Sequence, residues 1–255
     1  MNTLAADQPD LERRFGGVRR LHGSAAYDRL RAARVAIIGV GGVGSWAAEA
    51  LARSGVAELT LIDLDHVAES NINRQIQAVD STLGQAKVLA LKDRIAQIHP
   101  GCVVHAVEEF VDEANVADLL SAAALDAVID CCDQVRAKAA VAAWGWQHER
   151  LIVAVGAAGG KMQPQLVQVA DLAEATHDPL LASLRQRLRQ RHDGARKGRM
   201  GLSCVFSRET VRPSQDGECS VDGSLNCSGY GSSVTVTATF GLVAAAQVMN
   251  HLGTA

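Results

Sequence analysis

Short apolar runs alternate with amphipathic stretches along the first 155 residues. Arg34-Val-Ala-Ile-Ile38 is continuously apolar after its first residue, as in a strand buried on both faces. Ser45–Ser54 follows with helical periodicity, and Gly55 can end that helix. The same alternation continues with a strand at Leu59–Asp63 and a helix over Gln85–Ile98 that Pro100 closes. Next come a strand at Cys102–Val107, a helix over Val111–Ala122 and a strand at Ala127–Asp130. A helix over Val135–His148 and a strand at Leu151–Val155 complete the series. Strands alternating with helices predict parallel βαβ units. The expected fold is therefore α/β, a Rossmann-like, doubly wound, mostly parallel sheet.

The pattern divides the chain into three parts. Residues 1–33 read as a polar lead-in with one helix near Ser24–Ala33, and residues 34–160 as the nucleotide-binding core. Residues 161–255 form a C-terminal extension of loop, short strands and an apolar helix packed on the same core. Within the extension, Gln165–Val169 and Cys204–Ser207 read as strands, and Pro179 opens a helix bearing Leu180, Leu184 and Leu188. Residues 210–233 read as a mobile loop. Val234–Leu252 is apolar, but it contains Gln247 and Asn250 and lacks basic flanks. It reads as a helix on the sheet or at a dimer interface, and no membrane insertion is expected.

Composition adds mainly exclusions. The chain has 255 residues, 48% hydrophobic and 21% charged, with a formal net charge of −3. That balance gives no general reason to expect a nucleic-acid partner, and the few aromatic side chains argue against an extended base-stacking platform. None of the six cysteines forms a C-x-x-C pair, so no zinc site is expected. The first ten residues carry no apolar signal region, and a reduced, cytoplasmic location is the expectation.

The candidate chemistry begins between the first strand and the first core helix. Gly39, Gly41 and Gly44 fit G-x-G-x-x-G, and Gly42 adds a further small residue. Such a loop lets backbone amides approach phosphate oxygens at a helix N-terminus. Asp63, at the end of the second strand, is placed to accept from ribose hydroxyls. These features indicate an adenine nucleotide without separating NAD from ATP. The surrounding residues favour ATP: Asn71, Asn73, Arg74 and Gln75 follow the second strand, Lys87 lies on the next helix, and Asp133, Arg136 and Lys138 follow the fourth strand. Hydride transfer has no need of such cations. Attack at an α-phosphate does, because charge develops there as pyrophosphate leaves.

Taken together, Gly39–Gly44, Asp63-Leu-Asp65, Asn71-x-Asn73-Arg74-Gln75, Lys87 and Asp133 resemble the ubiquitin-activating-enzyme-like adenylating superfamily. Further tracts resemble one branch, the tRNA threonylcarbamoyladenosine dehydratases. They are Arg14-Phe-Gly-Gly-Val, Gly42-Val-Gly-Ser-Trp-Ala-Ala-Glu-Ala-Leu-Ala-Arg53, Asp133-Gln-Val-Arg-Ala-Lys138, Asp178-Pro-Leu and Cys204-Val-Phe-Ser.

The resemblance implies ATP-dependent activation of the threonyl carboxylate of N6-threonylcarbamoyladenosine, beside the tRNA anticodon. The acyl adenylate would then cyclise, with loss of AMP. It also implies roles. The glycine loop cradles the phosphates, Asp63 holds ribose, and Asp65 and Asn73 order the site. Arg74, Gln75 and Lys87 address the phosphates, and Asp133 holds Mg²⁺. Arg74, Lys87 and Asp133 are the candidate catalytic residues. Arg14 or Arg20 is a candidate to enter the ATP site of a homodimer partner. Some relatives use a Cys to receive the activated group, and Cys204 and Cys227 lie in matching tracts, but a buried or structural role is the favoured reading for both. A monovalent-cation site and a sulfur-acceptor or desulfurase partner stay open. The rivals are adenylation of the C-terminal glycine of a ubiquitin-like or sulfur-carrier protein, and a non-catalytic nucleotide-binding or NAD-linked module.

One segment breaks the acidic balance. Between Arg185 and Arg199 seven basic residues face a single acid, Asp193. Arg187, Arg191, Arg196 and Lys197 are the candidate contacts to tRNA phosphates.

Overall fold

The computed structural model describes residues 9–121, 124–212 and 230–254. Most of the loop expected at 210–233 lies outside the described residues, and so do Cys219 and Cys227. One seven-stranded sheet organises the chain, in the order β3-β2-β1-β4-β5-β7-β6. The strands are β1 (Arg34–Ile38), β2 (Glu58–Ile62), β3 (Val103–Val107), β4 (Ala127–Asp130), β5 (Leu151–Val155), β6 (Val167–Asp171) and β7 (Ser203–Ser207). Every neighbouring pair is parallel except β6 with β7. Strand order reverses between β1 and β4, and the crevice at such a point is where open α/β sheets take ligands.

The helices cover both faces. On one side lie α2 (Ser24–Ala32), α3 (Gly44–Arg53), α4 (Lys87–Ile98) and α8 (Val234–Thr254). Their apolar residues form one core with the sheet, including Leu51 and Leu91 with Val236, Phe240 and Val248 from α8. On the other side α5 (Val116–Ser121), α6 (Val135–Gln147) and α7 (Pro179–Arg191) enclose a second core around Trp144, Leu184, Leu188 and Phe206. Helix α8 therefore lies against the sheet. Among the described residues no helix is long and apolar enough to cross a membrane.

Two expectations need correction. The N-terminal lead-in holds a second helix, α1 (Leu11–His22), capped by the Asp10 carboxylate, which accepts from Arg13 N at 3.0 Å. Its apolar face is narrow because it buries little beyond Phe15 and Gly16. The helix expected over Val111–Ala122 is shorter. Asp112 and Asn115 fold their side chains onto local amides, so regular helix begins only at Val116.

Candidate nucleotide site

The glycine loop is constrained by its backbone. Gly39 has φ of +78°, and a Cβ there would meet the Cys131 and Cys132 backbone at 3.1 Å. At Gly44 a Cβ would lie 1.9 Å from the Gly39 carbonyl oxygen. Both positions need glycine: one for its left-handed conformation, the other because the turn closes on itself. Loop and α3 thus leave their amides facing the carboxyl edge of the sheet.

Asp63 ties this loop to the next strand. Its carboxylate accepts from Val40 N at 2.8 Å and from Asp65 N at 2.9 Å. Burial raises the Asp63 pKa above the ordinary carboxylate value, and the nearby Lys87 charge partly offsets this. Lys87 opens α4. Its ammonium meets Asp65 Oδ2 at 2.6 Å, and its amide donates to the Asp65 carbonyl at 3.0 Å. Gly39–Gly44, Asp63, Asp65 and Lys87 are therefore brought together.

The segment after β2 closes over the loop. A Cβ on Gly42 would sit 3.2 Å from the Arg74 side chain, and one on Gly41 would sit 3.8 Å from the Gln75 amide. Arg74 donates to the Ser70 carbonyl at 2.7 Å and to Asn73 Oδ1 at 2.9 Å. The Asn73 amide in turn donates to the Ser232 carbonyl at 3.0 Å. Asp133 is half-buried on the adjoining β4–α6 loop, and among the described residues its carboxylate has no hydrogen-bond partner. The loop itself abuts the site, since Cys131 contacts Gly39.

One residue departs from expectation. Lys138 does not reach the phosphate region. It is fully buried, 3.0 Å from Asp130 Oδ2, and it donates to the Asp130 carbonyl at 2.9 Å. Arg14 donates to the Ile98 carbonyl of its own chain at 2.7 Å, at the far end of α4. Arg20 is exposed on α1. Cys204 is buried in β7, where burial pushes its thiol pKa up.

Sequence reasoning also missed supporting residues. Gln77 donates to the Val40 carbonyl at 2.9 Å, and the Trp46 indole donates to the Arg74 carbonyl at 2.9 Å. Ser45 presents a buried hydroxyl with no partner among the described residues, one residue beyond the glycine motif. That adjacency was a usable signal; the contacts of Gln77 and Trp46 exist only in three dimensions.

The basic segment is partly committed to the protein itself. Arg185 donates to the Leu172 and Ala175 carbonyls, both at 2.9 Å, and Arg187 pairs with Glu113. Arg187, followed by His192 and Arg136, helps to hold the Glu113 carboxyl below its ordinary pKa. That end of α7 therefore lies near the start of α6. Arg191, Arg196 and Lys197 are exposed.

A glycine loop at a strand-order reversal, an acid at the end of β2 and cations on the following segments define a nucleotide-binding α/β protein with a cationic phosphate region. The match extends to residues 13–255, and the chain belongs to the ThiF family. It is 39% identical over 254 residues to the tRNA threonylcarbamoyladenosine dehydratase of Haemophilus influenzae, covering 98% of this chain and 97% of that protein. The Escherichia coli protein of the same name is 43% identical over 250 residues, covering 94% and 93%. The crystal structure of the E. coli dehydratase in complex with ATP superposes with a TM-score of 0.86 at 41% identity, covering 96% of each chain.

Proposed function

We propose that the protein is an ATP-dependent tRNA threonylcarbamoyladenosine dehydratase. The observation that carries this reading is the joining of the glycine loop, Asp63, Lys87 and Arg74 into one contact network, in a chain that aligns with named dehydratases along almost its whole length. ATP fits the residues present. The loop admits no side chain at Gly44, and Asp63 keeps acceptor capacity beyond its two amide contacts.

ATP supplies the adenylyl group that turns a carboxylate into a good acyl donor. The chain's own part is positioning and charge. Loop amides and the α3 N-terminus favour phosphate oxygens, and Asp63 orients ribose. Arg74 and Lys87 offset the negative charge that grows as the carboxylate approaches the α-phosphate. Lys87 is held ready by Asp65, so little reorganisation is needed when phosphate replaces that contact. Asp133 is a single carboxylate, suited to Mg²⁺ that takes its other ligands from phosphate and water. Ring closure joins two groups of one nucleoside, so holding them in reach does much of the catalytic work.

The exposed Arg191, Arg196 and Lys197, together with Arg187, hold the tRNA backbone. A homodimer, a cytoplasmic location and docking of a sulfur-transfer protein belong to the same reading. The test is incubation with ATP, Mg²⁺ and threonylcarbamoylated tRNA, followed by nucleoside mass spectrometry. The expected product is lighter by one water and accompanied by AMP. ATP–pyrophosphate exchange that instead requires a carrier protein's C-terminal glycine would overturn this in favour of carrier adenylation.

A further inference from the structure

The carboxyl rim of the sheet continues past the nucleotide site. The glycine loop, Asp63 and Asp133 follow β1, β2 and β4, and the next parallel strands on that rim are β5 and β7. At the other end of the row, β3 leads into the exposed Glu108 and Glu109, whereas β7 leads into the exposed Arg208 and Arg212. Charge therefore directs an RNA substrate to the β5–β7 side.

Two buried charges build that side. Lys161 lies on the loop after β5 and is 2% exposed. Its ammonium donates to the carbonyls of His177, Ser207 and Glu209 at 3.4, 3.2 and 3.0 Å. It thus ties the loop to the entry of α7 and the exit of β7. Glu209 is also buried, and its Oε2 accepts from Met162 N and Gln163 N, both at 2.8 Å. Its Oε1 lies 3.6 Å from Arg212 Nε and has no hydrogen-bond partner among the described residues. Arg212 Nη1 is 3.4 Å from Met162 Sδ. An apolar thioether and a cation are thereby fixed side by side at the surface, with Met162 65% exposed. The same loop is bonded to the nucleotide site. Gly160 N donates to the Gly231 carbonyl at 3.0 Å, and the next carbonyl, Ser232, accepts from Asn73, which holds Arg74. A nucleoside in an RNA offers an apolar base face and an adjoining phosphate, which a thioether and a guanidinium complement.

We propose that Met162 and Arg212 seat the threonylcarbamoyladenosine nucleoside of the tRNA, Met162 against the base and Arg212 on the adjoining phosphate, with Lys161 and Glu209 as positioning residues. This rests on the dehydratase reading above and assigns its substrate side.

Steady-state dehydration of threonylcarbamoylated tRNA by the full-length protein is measured beside ATP calorimetry and thermal melts. Met162→Ser and Arg212→Gln change exposed side chains, and Glu209→Gln changes the buried support. Lys92→Gln, exposed on α4, is the charge control. The KM for tRNA should rise about tenfold in Met162→Ser and Arg212→Gln, with kcat and ATP affinity unchanged and the control like the parent. Glu209→Gln should show the same split between KM and kcat. Its melt tells whether that variant is folded, and the two surface variants decide the question if it is not. An active enzyme with parental KM in both surface variants overturns the seat alone, and so does a loss of ATP affinity that matches the rise in KM. A parent protein that forms no dehydrated nucleoside overturns the dehydratase reading and the seat with it.

Discussion

Gly241 offers the sharpest test of how the fold holds the nucleotide loop. It lies on α8 where that helix crosses the start of α3. A Cβ there would sit 2.4 Å from the Val43 carbonyl oxygen, 2.9 Å from Ala47 N and 2.9 Å from the Trp46 Cβ. An ordinary carbon–oxygen contact is roughly 3.3 Å or more, so Gly241→Ala must drive the two helices apart by roughly 1 Å. None of the three obstacles is a flexible side-chain tip. The Val43 carbonyl accepts from Trp46 and Ala47 amides at 3.1 and 3.2 Å, so moving it moves the first turn of α3.

Such overpacking costs about 1–3 kcal/mol, while alanine for glycine inside a helix returns about 1 kcal/mol. The net loss is ~0–2 kcal/mol, and Tm should fall by only a few degrees, at roughly 2–4 °C per kcal/mol for a chain of this size. ATP binding should suffer much more, because a loop displaced by about 1 Å no longer aims its amides. The expected loss of affinity is roughly tenfold to a hundredfold. Gly253→Ala is the matched control on the same helix, since its Cβ would meet Ala26 Cβ at an ordinary 3.6 Å. Thermal melts and ATP calorimetry on both variants decide the matter. If Gly241→Ala is folded and binds ATP as tightly as the parent, α8 does not set the loop and the reasoning fails.

Removing Lys138 strands the fully buried Asp130, so Lys138→Met should lower stability by about 3–5 kcal/mol in urea unfolding, and adding Asp130→Asn should recover much of the loss. His99 is buried with its pKa below the ordinary 6.5. Unfolding therefore takes up a proton below that pH, and stability should fall as pH drops through the window beneath 6.5, with a slope of at most ~1.4 kcal/mol per pH unit. His99→Gln should flatten that part of a pH series of urea midpoints. Replacing Arg191, Arg196 and Lys197 with Gln should weaken tRNA binding and reduce its salt slope by up to about three while leaving ATP calorimetry unchanged; an unaltered salt slope would remove the basic segment from the RNA interface.

What could be read from the chain, and what could not, follows from the range of each interaction. Runs such as Ala127–Asp130 and Leu151–Val155 coincide with their strands because a strand buried on both faces is nearly all apolar, whatever surrounds it, with Asp130 at the end of its strand the exception. The glycine loop is equally local: Gly44 is needed because of Gly39, five residues away. Burial of a charged side chain is different. Lys138 looks like Arg136 in the sequence, two positions along one helix, yet one is enclosed with Asp130 and the other is exposed. The turn of α6 decides this by aiming one residue inward at the end of β4 and the other outward. The same holds in α7, where Arg185 bonds the carbonyls of Leu172 and Ala175 while Arg191 stays in solvent. A run of arginines is thus a statement about net charge. How many of those charges can reach a ligand depends on carbonyls and carboxylates brought in from elsewhere in the chain. The same dependence gathers Arg14, Arg53 and Arg94, from α1, α3 and α4, around one cavity, because only the packing of those helices makes them neighbours.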